Sequence, residues 1–486
     1  MSSERSVPIL KRRRTKIVAT VGPASSSPET LRELIDAGVN VFRLNMSHGD
    51  HDGHQAVYDA IRRITWERGE KIGILADLAG PKIRVGRFEG GSTELRSGRL
   101  VTVTTRDVLG GPELIPSQYD MLHEDVTRGD RILLDDGNLE LKVESVEGTE
   151  ISCMVIHGGR LSDRKGMNLP GVDISAPSLT EKDWRDARFA LELGVDFMAL
   201  SFVRRASDVD DLRALMDEER QSAWIIAKIE KPEAVDEIES ILEVSDGIMV
   251  ARGDLGVELP PEIVPTAQSD LVDLARSKGK PVIVATQMLE SMIDHPRPTR
   301  AEVSDVANAV RSGTDAVMLS GETASGKFPV AAVRMMDRVA REAESQLFGR
   351  ALFAGWTTPE TRAENDAMKL GHAVSRAAAQ LSRDLKVRAV VVFSTTGVTA
   401  QEVASARPAA PVIAASSLRQ TARRMTLLWG TVPILIEEPR LAAPHETARE
   451  LVREFDLASP GDWILRVAGF SADPRKNAPT ITALMV

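Results

Sequence analysis

The chain reads as a (β/α)8 (TIM) barrel carrying an inserted β-barrel-like lid domain and a C-terminal α/β domain. Three observations predict this. Eight short apolar runs recur, most of them separated by helical patterns. One long gap interrupts the alternation with Gly-rich, two-residue periodicity. A fresh series of strands and helices follows the last repeat. Continuous apolar runs suit parallel strands buried on both faces, and eight alternating units suit a closed barrel better than a doubly wound open sheet.

The eight runs are KIVATV, NVFRLNM, KIGILAD, DFMALSF, WIIAKI, GIMVA, PVIVAT and AVMLS. Between them lie helical stripes: Leu31, Leu34 and Ile35; Leu212, Leu215 and Met216; Val235, Ile238, Ile241 and Leu242; and Val330, Val333 and Met336. Ser27 is placed to cap the first helix, Pro28 to occupy its first turn and Gly38 to end it. From Pro81 to Pro177 the texture becomes RLVTVTT, RILLDD, LELKVESVE and ISCMVIHGG, a small β-domain inserted after the third strand. The expected division is therefore 1–80 and 178–347 for the barrel, 81–177 for the lid and 348–486 for the C-terminal domain. A polar linker is expected after Leu347, with the new α/β unit starting near Asn365. Its strands are VRAVVVF, APVIAAS, VPILIEE and DWILRVAG.

Composition bounds the function. Of 486 residues, 42% are apolar and 27% charged, a soluble globular balance. A net charge of −10 argues against a nucleic-acid partner but permits a local basic pocket for anionic metabolites. No window is long enough to span a bilayer, and nothing of signal-peptide type follows the N-terminal basic run. That run, Lys11 to Arg14, is expected to be a solvated approach to the first strand. The single Cys153 excludes a disulfide framework and suits a reducing, cytoplasmic setting.

The chemistry lies where apolar strands end in charge. WIIAKIE ends at Lys228 and Glu230, which share a face of an extended strand. GIMVARGD ends at Asp254. Two carboxylates can bind a divalent cation that keeps positions open for phosphates. A lysine beside them supplies fixed positive charge for a developing anion. Phosphoryl or enolate chemistry follows. Other strands end in Arg43, Asn45 and Ser47, in Asp77, in Thr286, and in Ser320 and Glu322. The C-terminal ends of barrel strands are where such a site belongs. Each residue has a plainer reading. Lys228 and Glu230 could be only a buried ion pair, Asp254 a turn cap, Thr286 a β-branched core residue, and Ser320 with Glu322 a helix cap. GETASGK (Gly321 to Lys327) nearly spells a P-loop, but Phe328 and Pro329 follow where a hydroxyl is needed.

AWIIAKIEKPEAV resembles the pyruvate kinase active-site signature along its whole length. TKIVATVGPASS, NVFRLNMSHG, KGMNLPG, DGIMVARGDLGVE, VATQMLESM and MLSGETASGKFP are similar to further segments of that family. The resemblance covers nearly the whole chain. It implies phosphoryl transfer from phosphoenolpyruvate to ADP, giving pyruvate and ATP through an enolpyruvate that is then protonated. It implies Mg2+ (or Mn2+) held by Glu230 and Asp254, and Lys228 on the transferring phosphoryl and the enolate oxygen. Arg43 would clamp the substrate phosphate, its planar fork matching phosphate oxygens. The Gly253 and Asp254 amides would meet the substrate carboxylate. Thr286 would lie near the carbon that is protonated, with Ser320 and Glu322 on the proton path. Arg84, Arg164, Lys165 and His48 would face the nucleotide. A homotetramer is the family's usual assembly. The resemblance leaves a Mg2+-dependent oxo-acid lyase and a non-catalytic metabolite sensor as rivals.

The chain departs from the family pattern at ADLAGPKIR. Asn45, Ser47 and Asp77 match potassium-ligating positions, but Leu78 replaces the threonine and Lys82 the glutamate. The pair resembles the potassium-independent branch. Lys82 is expected to reach Asp77, Asn45 or Ser47 in place of the ion; a solvated lid hinge is the plainer reading. In the C-terminal domain, Ser394, Thr395, Thr396, Gly397 and Thr399 form a strand-to-helix loop suited to a phosphate. The family binds phosphorylated effectors at the matching loop. Val398 stands where activated members carry a basic residue, and Thr396 or Thr399 could instead cap the helix.

Overall fold

The computed structural model describes residues 13–349, 370–471, 473 and 475–486. The expected linker after Leu347 and the start near Asn365 fall largely on residues 350–369, outside the described residues. Strands β1 (Lys16–Thr20), β2 (Val41–Asn45), β3 (Gly73–Asp77), β4 (Phe197–Leu200), β5 (Trp224–Ile229), β6 (Gly247–Ala251), β7 (Val282–Ala285) and β8 (Ala316–Leu319) correspond to the eight apolar runs. They pair in parallel and close, with β1 bonded to both β2 and β8. Closure excludes the open sheet.

Strand periodicity sorts the side chains into two shells. Ile17, Phe42, Ile74, Ile225 and Val250 point outward into the core shared with the surrounding helices. Val18, Val41, Leu75, Trp224, Ile226 and Met249 fill the barrel interior. The interior rows change character with height. On β5 the sequence Trp224, Ile226, Lys228 runs from an aromatic floor to a charged mouth, and Glu230 continues it just beyond the strand. On β3, Leu75 is followed by Asp77; on β2, Val41 is followed by Arg43 and Asn45.

The helices obey their local signals. Ser27 caps the helix Pro28–Ala37 by accepting from the Thr30 amide, and Gly38 ends it at φ 109°. A left-handed residue there is suited to glycine, which has no Cβ to clash. The N-terminal basic run corrects its expectation. Lys11 and Arg12 lie outside the described residues, whereas Arg13 and Arg14 are buried. Arg13 ion-pairs with Asp337 at 3.1 Å. The amides of Arg14 and Thr15 donate to the buried Glu344 at 2.8 and 2.7 Å. The run is a clip onto the helix Pro329–Gly349.

The insertion has its own apolar core, including Val103, Ile132, Leu141, Cys153 and Val155. It forms a six-stranded sheet and a two-stranded ribbon, not a second closed barrel. Both of its connections to the barrel are anchored. The Gly80 amide donates to the buried Asp183 at 3.1 Å, and Arg204 donates to the carbonyls of Ile174 and, at 2.8 Å, Ala176.

The C-terminal domain is a five-stranded sheet. Strands β9 (Val390–Phe393), β10 (Val412–Ser416), β11 (Thr431–Leu435), β12 (Trp463–Ala468) and β13 (Thr480–Met485) lie in the order β11-β10-β9-β12-β13. The final strand, antiparallel to β12, was absent from the sequence reading, although Asp473, Asn477 and Pro479 mark a turn just before TITALM. This domain docks on the barrel floor. Arg407, about 1% exposed, ion-pairs with Asp315 at 2.9 Å and donates to the Gly313 carbonyl at 2.7 Å. The Trp429 amide donates to the same Asp315 at 3.2 Å. Arg423 reaches Asp196 at 2.7 Å, and the other oxygen of Asp196 accepts from Arg62 at 2.6 Å and the Ile74 amide at 2.9 Å.

Removing one partner of a buried pair strands the other charge, which typically costs about 3–5 kcal/mol. Arg407→Leu should therefore lower the urea midpoint of the transition that separates the C-terminal domain from the barrel floor. Adding Asp315→Asn should recover part of the loss. Equal midpoints for the native protein and Arg407→Leu would show that the pair does not hold this interface.

Candidate active site

The mouth of the barrel gathers residues that the sequence places far apart. Asp77, at the end of β3 and 1% exposed, sits between two cations. Arg43 Nε contacts its Oδ2 at 2.6 Å, and Lys228 Nζ lies 3.3 Å from its Oδ1. Lys228 also contacts Glu230 Oε1 at 3.0 Å and donates to Ser201 Oγ at 2.7 Å. Glu230 is held from its other side by the Phe202 amide at 2.8 Å. Arg43 is steadied by a second bond to Thr20 Oγ1 at 3.0 Å. The ammonium thus has three oxygen partners, which fix its position before any ligand arrives.

The electrostatics follow. Burial would raise the Asp77 carboxyl, but Lys228 and Arg43 outweigh it and hold Asp77 below the usual aspartate range. Burial would lower the Lys228 ammonium, but Asp77 and Glu230 outweigh that and keep it firmly charged. Burial pushes the Glu230 carboxyl up, Lys228 opposes this, and Asp254 adds to it, leaving Glu230 raised.

Asp254 stands in the first turn of the short helix Arg252–Glu258, directly after β6. Its closeness to Glu230 is felt as repulsion between two carboxylates, a charge pattern a divalent cation relieves. Among the described residues no cluster of three or more His, Cys, Asp or Glu forms an all-protein metal cage. Two hard oxygen ligands on an open rim suit Mg2+, which keeps waters and takes substrate oxygens as its remaining ligands.

Thr286 continues β7 with φ at 69°, followed by Gln287 at 53°. Left-handed backbone is strained for a β-branched residue. Arg252 braces the turn: its NH2 donates to the Thr286 carbonyl at 2.8 Å while NH1 contacts Asp305 at 2.7 Å. Thr286 is thereby turned toward the mouth, not packed as a β-branched core residue. Its Oγ1 accepts from the Gly253 amide at 2.7 Å. That amide was expected to face a substrate carboxylate; here the threonine hydroxyl takes it.

Other expected residues are placed differently. Lys82 does not reach Asp77, Asn45 or Ser47; its Nζ lies 3.2 Å from Asp254 Oδ1. Asn45 Oδ1 instead accepts from the Ser47 amide at 3.1 Å. Leu78 is buried, and its hydrocarbon side chain has no oxygen to offer an ion. Glu322 is no free proton carrier: its two oxygens accept from the Leu289 and Ser320 amides at 3.1 and 2.7 Å. It stabilises the turns that follow β7 and β8, and Ser320 opens the short helix Gly321–Ala324. Lys327 pairs with Asp294 at 2.8 Å, and this turn is no phosphate loop. Arg84 donates to the Arg164 carbonyl at 3.1 Å, while Lys165 pairs with Asp135 at 2.6 Å, all on the lid. His48 is exposed, its carbonyl 2.9 Å from His54 Nε2.

At the effector-type loop, neither Thr396 nor Thr399 caps the helix Val398–Ser405. Its N-cap is Gly397 at φ 96°, with no side-chain cap bond. Ser394 Oγ accepts from the Gly397 amide at 2.9 Å, and Thr395 and Thr396 are exposed. The loop lies against the barrel floor, where a Cβ on Gly397 would come within 3.2 Å of the Trp224 ring.

Ser201, Thr20 and Arg252 escaped the sequence reading. Ser201 and Thr20 are the hydroxyl residues one position before the ends of DFMALSF and KIVATV, so the rule that found the polar strand ends would have found both. Arg252 carried no separate signal; its role depends on contacts with Thr286 and Asp305.

Residues 12–333 match the family profile described as pyruvate kinase, barrel domain. Residues 372–482 match pyruvate kinase, alpha/beta domain. A pyruvate kinase of Sporosarcina psychrophila is 46% identical over 463 residues, covering 94% of this chain and 78% of the relative. One from Corynebacterium glutamicum is 46% identical over 461 residues, covering 94% of each. The crystal structure of a pyruvate kinase from Cryptosporidium parvum superposes with a TM-score of 0.90 at 37% identity, covering 99% of this chain and 97% of that one.

The depressed Asp77 carboxyl carries a pH signature. A group whose folded value is lowered adds stability above its unfolded value and loses it as pH falls through the folded one. The stability difference between the native protein and Asp77→Asn should therefore be constant above about pH 4 and shrink only in more acid solution. Urea titrations across pH measure it. A difference that instead grows with acidity would contradict the arrangement.

Proposed function

Because this chain belongs to the pyruvate kinase family, phosphotransferases that move phosphoryl from phosphoenolpyruvate to ADP, we propose that the charge cluster at the barrel mouth is its reaction centre. The observation that carries the reading is Lys228, a buried ammonium held by Asp77, Glu230 and Ser201. A cation that is already oriented need not reorganise when negative charge develops.

The family generally uses Mg2+. Glu230 and Asp254 would hold it, with Mn2+ as a substitute, and it would neutralise phosphate charge and align substrate with nucleotide. Arg43 would grip the substrate phosphate with the guanidinium edge that Asp77 and Thr20 leave free. Lys228 would follow the transferring group and then balance the enolate oxygen left behind. Thr286, held in a strained turn beside Gly253, would lie next to the methylene carbon when it takes its proton. Arg84, Arg164 and Lys165 would bring positive charge to the nucleotide from the lid, with His48 on the rim. Glu322 and Ser320 would position this machinery, not shuttle its proton. The oxo-acid lyase and the sensor have no comparable support.

Three finer readings accompany this. Turnover proceeds without potassium, because Leu78 removes an oxygen ligand and Lys82 brings a tethered cation to the same rim. The loop from Ser394 to Thr399 receives the phosphate of an effector. The enzyme works as a homotetramer in the cytoplasm. A reducing setting suits Cys153, buried with its thiol pushed up to about 12, and among the described residues no helix is long and apolar enough to cross a membrane.

A coupled assay for ADP-dependent pyruvate formation tests the central reading. Lys228→Met should lower kcat by roughly three orders of magnitude or more with little change in KM, since its charge matters most where charge develops. A raised KM with native kcat would make Lys228 a ground-state binder only.

The same assay in buffers whose only monovalent cation is tetramethylammonium should show full activity. Lys82→Glu should reduce activity and introduce a potassium response, strengthened by Leu78→Thr. A native enzyme that is inert until potassium is added would remove the potassium-independent reading.

A further inference from the structure

The contact between Lys82 and Asp254 has a use of its own. The mouth holds three cations and three carboxylates in direct contact: Arg43 with Asp77, Lys228 with Asp77 and Glu230, and Lys82 with Asp254. Without ligands the cluster is formally neutral. Both carboxylates assigned to the metal already have an ammonium on one oxygen, Glu230 at 3.0 Å and Asp254 at 3.2 Å.

The two ammoniums are not equivalent. Lys228 is buried in a strand and held by two further partners. Lys82 is about one-third exposed and sits in the lid connection, two residues after Gly80, whose φ is 66°. Its amide donates to the Gly80 carbonyl at 2.9 Å, and the lid's Gly166 lies beside its Cε, where a Cβ would come within 3.8 Å. Asp254 is its only partner in an ion pair among the described residues. Lys82 can therefore leave Asp254 without breaking other polar side-chain contacts, whereas Lys228 cannot leave Glu230 as easily.

We propose that Lys82 is an electrostatic latch that makes divalent-metal binding depend on the anionic substrate. A divalent ion arriving alone competes with Lys82 for Asp254 and leaves the cluster with surplus positive charge. When phosphoenolpyruvate arrives as well, its negative charge offsets that surplus and offers the released ammonium a new partner. Metal and substrate then bind with positive coupling, and by linkage each raises the other's affinity by the same factor. Lys82 is thus a positioning residue: it keeps a bare metal from occupying the site and is handed to the substrate side once both ligands are present. This rests on Glu230 and Asp254 as the metal carboxylates.

Electron paramagnetic resonance of free Mn2+ measures the binding directly, with no turnover, in the full-length enzyme with and without phosphoenolpyruvate and without ADP. The native enzyme should bind Mn2+ alone weakly and much more tightly with phosphoenolpyruvate. Lys82→Met should bind Mn2+ alone about tenfold more tightly, because one nearby positive charge is gone, and should gain less from phosphoenolpyruvate. Lys82→Arg, which keeps the charge, should retain strong coupling. If Lys82→Met binds Mn2+ alone no more tightly than the native enzyme, the latch is refuted while the metal site stands. If Asp254→Asn binds Mn2+ as well as the native enzyme, the metal assignment fails and the latch with it. Circular dichroism confirms that each variant is folded, as expected for a side chain partly in solvent.

Discussion

One buried carboxylate organises the mouth of this barrel. Asp77 has almost no access to water, and it is kept ionised by Arg43 on one oxygen and Lys228 on the other. A lone charge there would be prohibitively unfavourable. Two cations and one anion would still be unbalanced, so Glu230 enters beside Lys228, and its burial is met by the Phe202 amide. Each member is tolerable only because the others are present. This interdependence explains why the buried part of the charged layer gathers at the ends of β2, β3 and β5, where the barrel's apolar filling stops. It also places functional cations in fixed positions, which separate surface side chains could not achieve.

Much of this was readable because strand periodicity is strict. Lys228 and Glu230 are two residues apart after an apolar run, so they had to share the inner face, and they do. The eight strands, the cap at Ser27 and the left-handed Gly38 were equally local signals. Family resemblance then assigned roles that no spacing could have supplied.

What escaped the sequence was set by tertiary contacts. A lysine on a lid hinge can swing several ångströms, so its partner depends on how the hinge is braced; Lys82 met Asp254, not Asp77. Glu322 looked available for proton transfer, yet the turns after β7 and β8 present two amides to it. Arg13 and Arg14 looked like a solvated run because the acids that receive the segment, Asp337 and Glu344, lie more than three hundred residues away. The final strand β13 is short and mostly unburied, so the turn at Asp473 to Pro479 had no apolar run to announce, and the strand is defined mainly by pairing with β12.

The lid insertion also sets an order of events during folding. β3 pairs with β4, Leu75 beside Phe197, across the whole inserted domain, and closure awaits β8 against β1, Ala316 beside Lys16. Contacts of such long sequence separation form late, because loop-closure entropy is lost before they contribute. The lid has its own core and can collapse while the chain is still being made. Asp77 and Lys228, made on either side of that domain, cannot meet until β4 and β5 have paired onto β3. A nascent chain can thus carry a folded lid well before it has anything to catalyse.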